Sequence, residues 1–330
     1  MSSSESEAAA AAAPPVAIAV VSWNTRELLR RCLESMAPEV ARGRARVWVV
    51  DNASDDGSAD MVRERFRWAE PVALPQNLGF GAAVNLVAAR TSSPWIAVAN
   101  ADIELTEGAL AMLLEVGERE PKAGIIAPRL VLPDGSTQHS VYSFPTLRFT
   151  VALNLGFGSL SPELADRLAF EGRWNPERPR TVDCAIGAFL LVRREAWDAT
   201  GRFDLAHWLY AEDLDLGWRA AAAGWHTRFE PSAVVRHHRS AATTQLWGDD
   251  RDVQWQRSTY AWMLRRRGLV ITRVCAAVNT LGAATRLAVL TGPALLRRGD
   301  WVARRRVMRR WTRLHLQNLI ASRETLERHR

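Results

Sequence analysis

The chain has 330 residues, 48% of them hydrophobic and 24% charged, which excludes global disorder, collagen and long coiled coils. Its net charge of +7 is unevenly placed: from Arg251 to Arg330, 18 arginines stand against four acids, so that stretch carries +14 and the preceding 250 residues −7. The three cysteines, Cys32, Cys184 and Cys275, lie far apart and build no disulfide framework or paired zinc knuckle, as suits a reducing compartment.

Met1–Pro15 is low in complexity and lacks the basic and apolar regions of a signal peptide, so it reads as a disordered leader. From Val16 onward strands and helices alternate. Ala17–Ser22 is a short apolar run of the kind expected for a buried parallel strand. Asn24 is placed to cap a helix carrying Leu28, Leu29, Leu33 and Met36. Arg46–Val50 is a second strand ending at Asp51, and Ser58 opens a second helix through Met61, Val62 and Phe66. Val72–Leu74 is a brief third strand, followed by the loop Gln76–Gly81 and a helix over Ala82–Arg90. Trp95–Ala99 is a fourth strand that runs into Asn100-Ala101-Asp102. Gly108–Glu118 reads as helix, Gly124–Leu132 as extended chain and Pro133-Asp134-Gly135 as a turn. Tyr142–Arg180 reads as an irregular, mobile loop. Beyond it strand-like sequence resumes at Thr181, Phe189–Val192 is apolar, Glu212–Ala223 reads as a helix ended by Gly224, and His226–Phe229 and Ala233–Val235 as short strands. After Thr244 the pattern is helical and rich in arginine.

Four strand–helix units in about 100 residues imply a mostly parallel sheet with helices on both faces. Such sheets bind ligands at the carboxyl ends of their strands, which makes Asn24, Asp51 and Asp102 candidate site residues on topology alone.

Five segments carry the chemistry. They are Val21-Ser22-Trp23-Asn24; Asp51 with the turn Asn52–Ser58; Asn77-Leu78-Gly79-Phe80-Gly81 with Asn85; Asn100-Ala101-Asp102; and Glu212-Asp213-Leu214-Asp215. In this order and spacing they resemble glycosyltransferase family 2, the inverting GT-A enzymes, over residues 16–245, and most of all the rhamnosyltransferase-like subgroup. The resemblance implies a Rossmann-like GT-A fold and a nucleotide-diphosphate sugar as donor, a dTDP- or UDP-sugar. It implies a divalent metal, Mg2+ or Mn2+, on Asp102, because a carboxylate-held cation offsets the charge that develops on the departing diphosphate. Asn100 replaces the first acid of the Asp-x-Asp form, which leaves one carboxylate fewer for the metal. By the same resemblance Asp51 contacts the pyrimidine, Asp213 is the general base, and Glu212 positions it or binds acceptor. Ser22, Asn24, Asn77, Gly79, Gly81, Asn85 and Asn100 fall on the donor side, with plain turn chemistry as the other reading of the glycine loop. His237 either completes the metal site or is a structural histidine. Asp55, Asp56 and Ser58 read as turn and cap residues, and Trp208, Trp218 and Trp225 as core.

Residues 246–330 form a helical, arginine-rich region. Leu269–Leu296 is mostly apolar, but Arg273 and Arg286 disfavour a simple membrane span. Arg297-Arg298, Arg304-Arg305-Arg306 and Arg309-Arg310, interleaved with Trp301 and Trp311, suit an anionic membrane surface. The expectation is a cytoplasmic enzyme, peripheral at the inner face of the plasma membrane, that transfers L-rhamnose from dTDP-rhamnose to a lipid-linked or cell-envelope glycan. Galactofuranose, mannose or N-acetylglucosamine are alternative donor sugars. A basic nucleic-acid-binding protein is a further alternative, disfavoured because the basic residues lie outside the α/β body and no binding motif accompanies them.

Overall fold

Val16–Ser22 (β1) is apolar nearly end to end because both its faces are covered, and its alternate side chains enter two different cores. A computed structural model describes residues 14–154, 161–238, 245–295 and 301–324. Most of the leader, with Gly156, Gly158, Arg297 and Arg298, lies outside the described residues. β1 pairs in parallel with Ala45–Asp51 (β2) and Trp95–Asn100 (β4), and Glu70–Ala73 (β3) adds in parallel beyond β2.

The sheet continues through Phe189–Arg193 (β10), Ala123–Val131 (β6), His226–His237 (β11) and Ile103–Leu105 (β5), giving the order β3-β2-β1-β4-β10-β6-β11-β5. Arg180–Val182 (β8) pairs with β11 as a ninth strand, and Val141–Tyr142 (β7) pairs with Cys184–Ala185 (β9) in a separate ribbon. Strands β10, β5 and β8 run against the others, so the sheet is mostly, not wholly, parallel.

Helices cover both faces. Arg26–Ala41 (α1), Ser58–Arg65 (α2) and Ala109–Arg119 (α4) lie on one side, and α1 buries Leu29, Cys32, Leu33 and Met36 at helical spacing. Phe80–Ala88 (α3), Arg194–Thr200 (α7) and Glu212–Ala222 (α8) lie on the other.

Three expectations need correction. Asn24 does not cap α1: its φ of 51° is left-handed, Thr25 holds the cap position, and the Asn24 Oδ1 instead accepts the Asp55 N–H at 2.9 Å. The segment Tyr142–Arg180 is not irregular throughout. It contains the helices Leu147–Asn154 (α5) and Pro162–Arg167 (α6), which share a small core of Ala152, Ala165 and Phe170. The two short strands after Gly224 are one strand, β11, with a register shift between Glu230 and Val234. Strand β5 and helix α7 carried too few periodic positions to be read from the sequence.

The C-terminal region is Arg251–Leu295 (α9), which breaks at Gly268 with φ 80°, and Trp301–Ile320 (α10). By length and composition Arg251–Thr291 is apolar enough to cross a membrane. Here α9 packs on α10 and α5, and Tyr260, Trp262 and Met263 form a core with Ala211 and Cys275. Asp215 on α8 is fully buried and joins the two parts: it accepts the Arg219 Nε at 2.7 Å, the Arg266 Nε at 2.6 Å and the Trp262 Nε1 at 3.1 Å. The hydrogen bond from Arg266, with the charges of both arginines, outweighs burial and holds the Asp215 carboxyl below its ordinary range. Its stabilising contribution is therefore present at neutral pH and is lost as pH falls through that depressed value.

Removing one partner of a buried pair leaves the others uncompensated. We expect Asp215→Ala to destabilise the chain by about 3–5 kcal/mol in denaturant unfolding. A change within experimental error would show that the network carries no net stability.

Candidate active site

The carboxyl ends of β1 and β4 open into a cleft of 740 Å³, within the usual range for ligand sites. Ser22, Asn77, Gly79, Asn100, Asp102, Glu212, Asp213 and His237 all line it. Asp51 and Asn24 stand behind this lining. Asp51 is buried and its Oδ1 accepts both the N–H and the hydroxyl of Ser54, while the Asn24 N–H donates to the Ser54 hydroxyl. Gly81 and Asn85 face elsewhere: a Cβ on Gly81 would come within 2.9 Å of the Phe203 side chain, and Asn85 clamps the Phe203 backbone through both ends of its amide.

The glycine loop is shaped by Asn52, which lines the cleft beside it. The Asn52 amide donates to the Gly79 carbonyl and accepts from the Leu78 N–H. Gly79 has φ 85°, and a Cβ there would lie 2.2 Å from the Trp208 carbonyl, so no other residue fits. Trp208 lines the cleft, whereas Trp218 packs on Trp262 and Trp225 against Gly124. Asp56 accepts from the Arg26 N–H and from the N–H and hydroxyl of Ser58, tying the starts of α1 and α2 together.

Strand β5 explains how Asp102 and His237, 135 positions apart in the sequence, meet. Immediately after Asp102 the chain pairs antiparallel with β11, setting Ile103 opposite His237, and the His238 N–H donates to the Asp102 carbonyl at 2.8 Å. The His237 Nε2 then lies 3.2 Å from an Asp102 carboxylate oxygen. On its other side, the His237 Nδ1 lies 2.7 Å from the Gln138 amide oxygen, which holds the ring with Nε2 turned toward Asp102. That buried Nε2 has no hydrogen-bond partner. An imidazole nitrogen beside a carboxylate, oriented by an amide behind it, is a fitting donor set for a divalent cation. A second cluster, Asp204, His207 and Asp215, is metal-like only by proximity, because Arg266 already engages both of its carboxylates.

Helix α8 brings its acids to the cleft through two consecutive left-handed residues, Tyr210 at φ 67° and Ala211 at φ 68°. Such conformations are costly for residues with side chains and concentrate at functional sites. The Asp213 carboxylate accepts the Gly187 N–H at 2.9 Å and the Leu214 N–H at 2.7 Å. Burial raises its pKa, and those two N–H groups restrain the rise. Glu212 has only its own backbone N–H to lower it. Burial, and then the neighbouring Asp213 charge, push it well above the ordinary range, and its Oε2 has no partner. Of the two acids, Glu212 is the one more disposed to keep its proton.

Gln138, Gly187, Arg251, Trp255 and Trp311 also line or shape the cleft and were not foreseen. Gln138 sits in turn-like sequence with no motif around it. Trp255 and Trp311 come from the C-terminal helices, which the strand–helix pattern does not connect to the sheet.

A family model described as "Glycosyltransferase like family 2" matches residues 14–256. An N-acetylglucosaminyl-diphospho-decaprenol L-rhamnosyltransferase of Mycobacterium tuberculosis is 30% identical over 273 residues, covering 75% of this chain and 88% of that protein. A pre-mycofactocin glycosyltransferase of the same species is 32% identical across 68% of this chain and 43% of its own length. Among solved structures, a mannosyltransferase from Pyrobaculum calidifontis in complex with GDP-Man and Mn2+ aligns with a TM-score of 0.58 at 18% identity, covering 93% of this chain and 87% of that one.

The protonation of the acid pair can be read directly. Infrared spectroscopy at neutral pH is expected to show the carbonyl band of a protonated carboxyl group that disappears in Glu212→Gln. Persistence of the band in that variant would place the proton elsewhere.

Proposed function

Because the chain belongs to glycosyltransferase family 2, we propose that it is an inverting, metal-dependent enzyme that transfers L-rhamnose from dTDP-rhamnose to a lipid-linked glycan at the membrane. The observation that carries this reading is the gathering of Asp213 and the Asp102–His237 pair in one cleft. The rhamnosyltransferase relative, aligned over most of both chains, supports the choice of donor and acceptor.

A divalent cation held by Asp102 and His237 would offset the charge that the diphosphate gains as it departs. Asn100, Ser22 and the Asn77–Gly79 loop line the donor part of the cleft, and Asp51, outside that lining, holds the turn at Ser54. Asp213 accepts the proton of the acceptor hydroxyl while that oxygen attacks the anomeric carbon. The bond from that carbon to the diphosphate oxygen breaks, its electron pair leaves with the nucleoside diphosphate, and the configuration at the carbon inverts. The Gly187 and Leu214 N–H groups orient the base, and Glu212, whose carboxyl burial and the Asp213 charge push upward, stands beside it. The arginines of α10, with Arg304, Arg306, Arg309 and Arg313 exposed beside Trp301, suit an anionic lipid surface on the cytoplasmic side.

Asparagine is close in shape to aspartate but accepts no proton near neutral pH. Asp213→Asn should lower turnover by about 10²- to 10⁴-fold with donor affinity nearly unchanged. Near-normal turnover would move the base to another group. Because burial raises the Asp213 pKa, turnover should rise with pH through a value above the ordinary aspartate range, and the variant should lose that limb. Calorimetry with dTDP-rhamnose and Mn2+ should show that Asp102→Ala and His237→Ala abolish the metal-dependent part of donor binding. Unchanged affinity in both variants would remove the metal assignment.

A further inference from the structure

A second cavity, of 360 Å³, opens from the cleft at Asp213 and runs between α5, α9 and α10. The two spaces share Asp213, Tyr142, Ile186, Trp255 and Trp311, so they adjoin at the base. Away from Asp213 the lining turns apolar, with Phe149, Leu153, Phe170, Met263, Ala283 and Met308. Several of its polar groups are paired: the Tyr260 hydroxyl pairs with the His315 Nδ1 at 2.9 Å and accepts from the Asn279 amide at 3.0 Å, and Arg286 donates to Asn154 and to the Leu153 carbonyl. Burial, with the nearby Arg286 charge, lowers His315 to about 4.

The walls are built to stand apart. A Cβ on Gly282 would lie 2.1 Å from the Asn154 Oδ1, so α5 meets α9 closely at that point while the space beside it stays open. At the outer side Leu153 is 43% exposed, and on the same helix as Ala283 and Arg286 the apolar Leu281 and Val289 are 66% and 69% exposed. The cavity therefore joins a catalytic carboxylate at one end to exposed apolar surface, next to an arginine-rich helix, at the other.

We infer that this second cavity is the acceptor channel, and that its occupant is an amphiphile whose hydroxyl-bearing head reaches Asp213 while its apolar tail lies between α5, α9 and α10. Only a molecule with a nucleophilic hydroxyl has chemistry to do at Asp213, and only an apolar chain gains from the lining beyond it. The exposed valine and leucine side chains on α9 and the cationic face of α10 place the entrance at a lipid surface. Trp255 and Trp311, at the junction, offer flat faces for the ring of the head group. The inference rests on the glycosyltransferase reading for the role of Asp213, but not on which sugar is moved.

The test uses the full chain and two probes with the same head, octyl and methyl β-D-glucoside, measured by calorimetry below the micellar concentration. The octyl probe should bind at least about tenfold more tightly than the methyl probe, and Leu153→Arg and Ala283→Trp should abolish that difference while the thermal shift given by dTDP-rhamnose with Mn2+ is kept. Leu153 is exposed, so Leu153→Arg folds even where Ala283→Trp does not. Equal binding of the two probes by the unaltered chain, or octyl binding unaffected by Leu153→Arg, would overturn the channel. Because no transfer is measured, absence of rhamnosyl transfer would count against the proposed donor and leave the channel standing, and loss of the channel would leave the enzyme class standing.

Discussion

Asp215 is the point on which the arrangement turns. It sits one turn into the helix that begins with Glu212 and Asp213, and it is fully buried among Arg219, Arg266 and Trp262. Two of those three partners come from α9. The carboxylate therefore fastens the arginine-rich C-terminal helices to the helix that carries Glu212 and Asp213, and Arg266 extends the tie to Asp204. A buried ion set of this kind contributes specificity of arrangement as much as stability: with its partners fixed, α8 has one way to sit against α9. The left-handed pair Tyr210 and Ala211 is the cost of delivering the acids at that angle, and the packing of Ala211 into the Tyr260–Trp262 core holds it in place.

Division of labour in the cleft follows from environment more than from residue type. Glu212 and Asp213 are neighbours with the same chemistry, yet two backbone N–H groups fall on Asp213 and none of comparable strength on Glu212. The two environments push the two carboxyl groups apart in acidity, the pattern by which a pair of such groups takes two roles. At the end of β4 the chain carries Asn100 where a second carboxylate would stand, and the β5–β11 pairing brings the His237 imidazole, held from behind by Gln138, to Asp102.

The parallel half of the fold was legible because its signals are local. Runs such as Val16–Ser22 and Ala45–Asp51 are continuous apolar strands, and α1 and α8 repeat apolar residues every three or four positions. Asp102 and Asp213 were legible from motif and strand-end position, and the structure brings both to the cleft. What escaped was set by tertiary contact. Three-residue β5 exists because β11 offers it a partner. The Asn85 amide, which reads as a loop-flanking donor contact, is taken up by the Phe203 backbone from 118 positions away. Asn24 reads as a helix cap by type, but the loop after β2 claims its side chain. The helices between Leu147 and Arg167 are too short and too full of glycine and proline neighbours for periodicity to reveal them.

The central claim is a single displacement in which Asp213 removes the acceptor proton and no covalent sugar–enzyme link forms. Its stereochemistry can be read from one spectrum: proton NMR of the glycoside first formed from dTDP-rhamnose and a lipid-linked N-acetylglucosamine acceptor. The account predicts an anomeric configuration opposite to that of the donor from the earliest time point. Retention of the donor configuration would contradict it, because that outcome requires a second displacement or attack from the leaving-group side, neither of which a base at Asp213 provides.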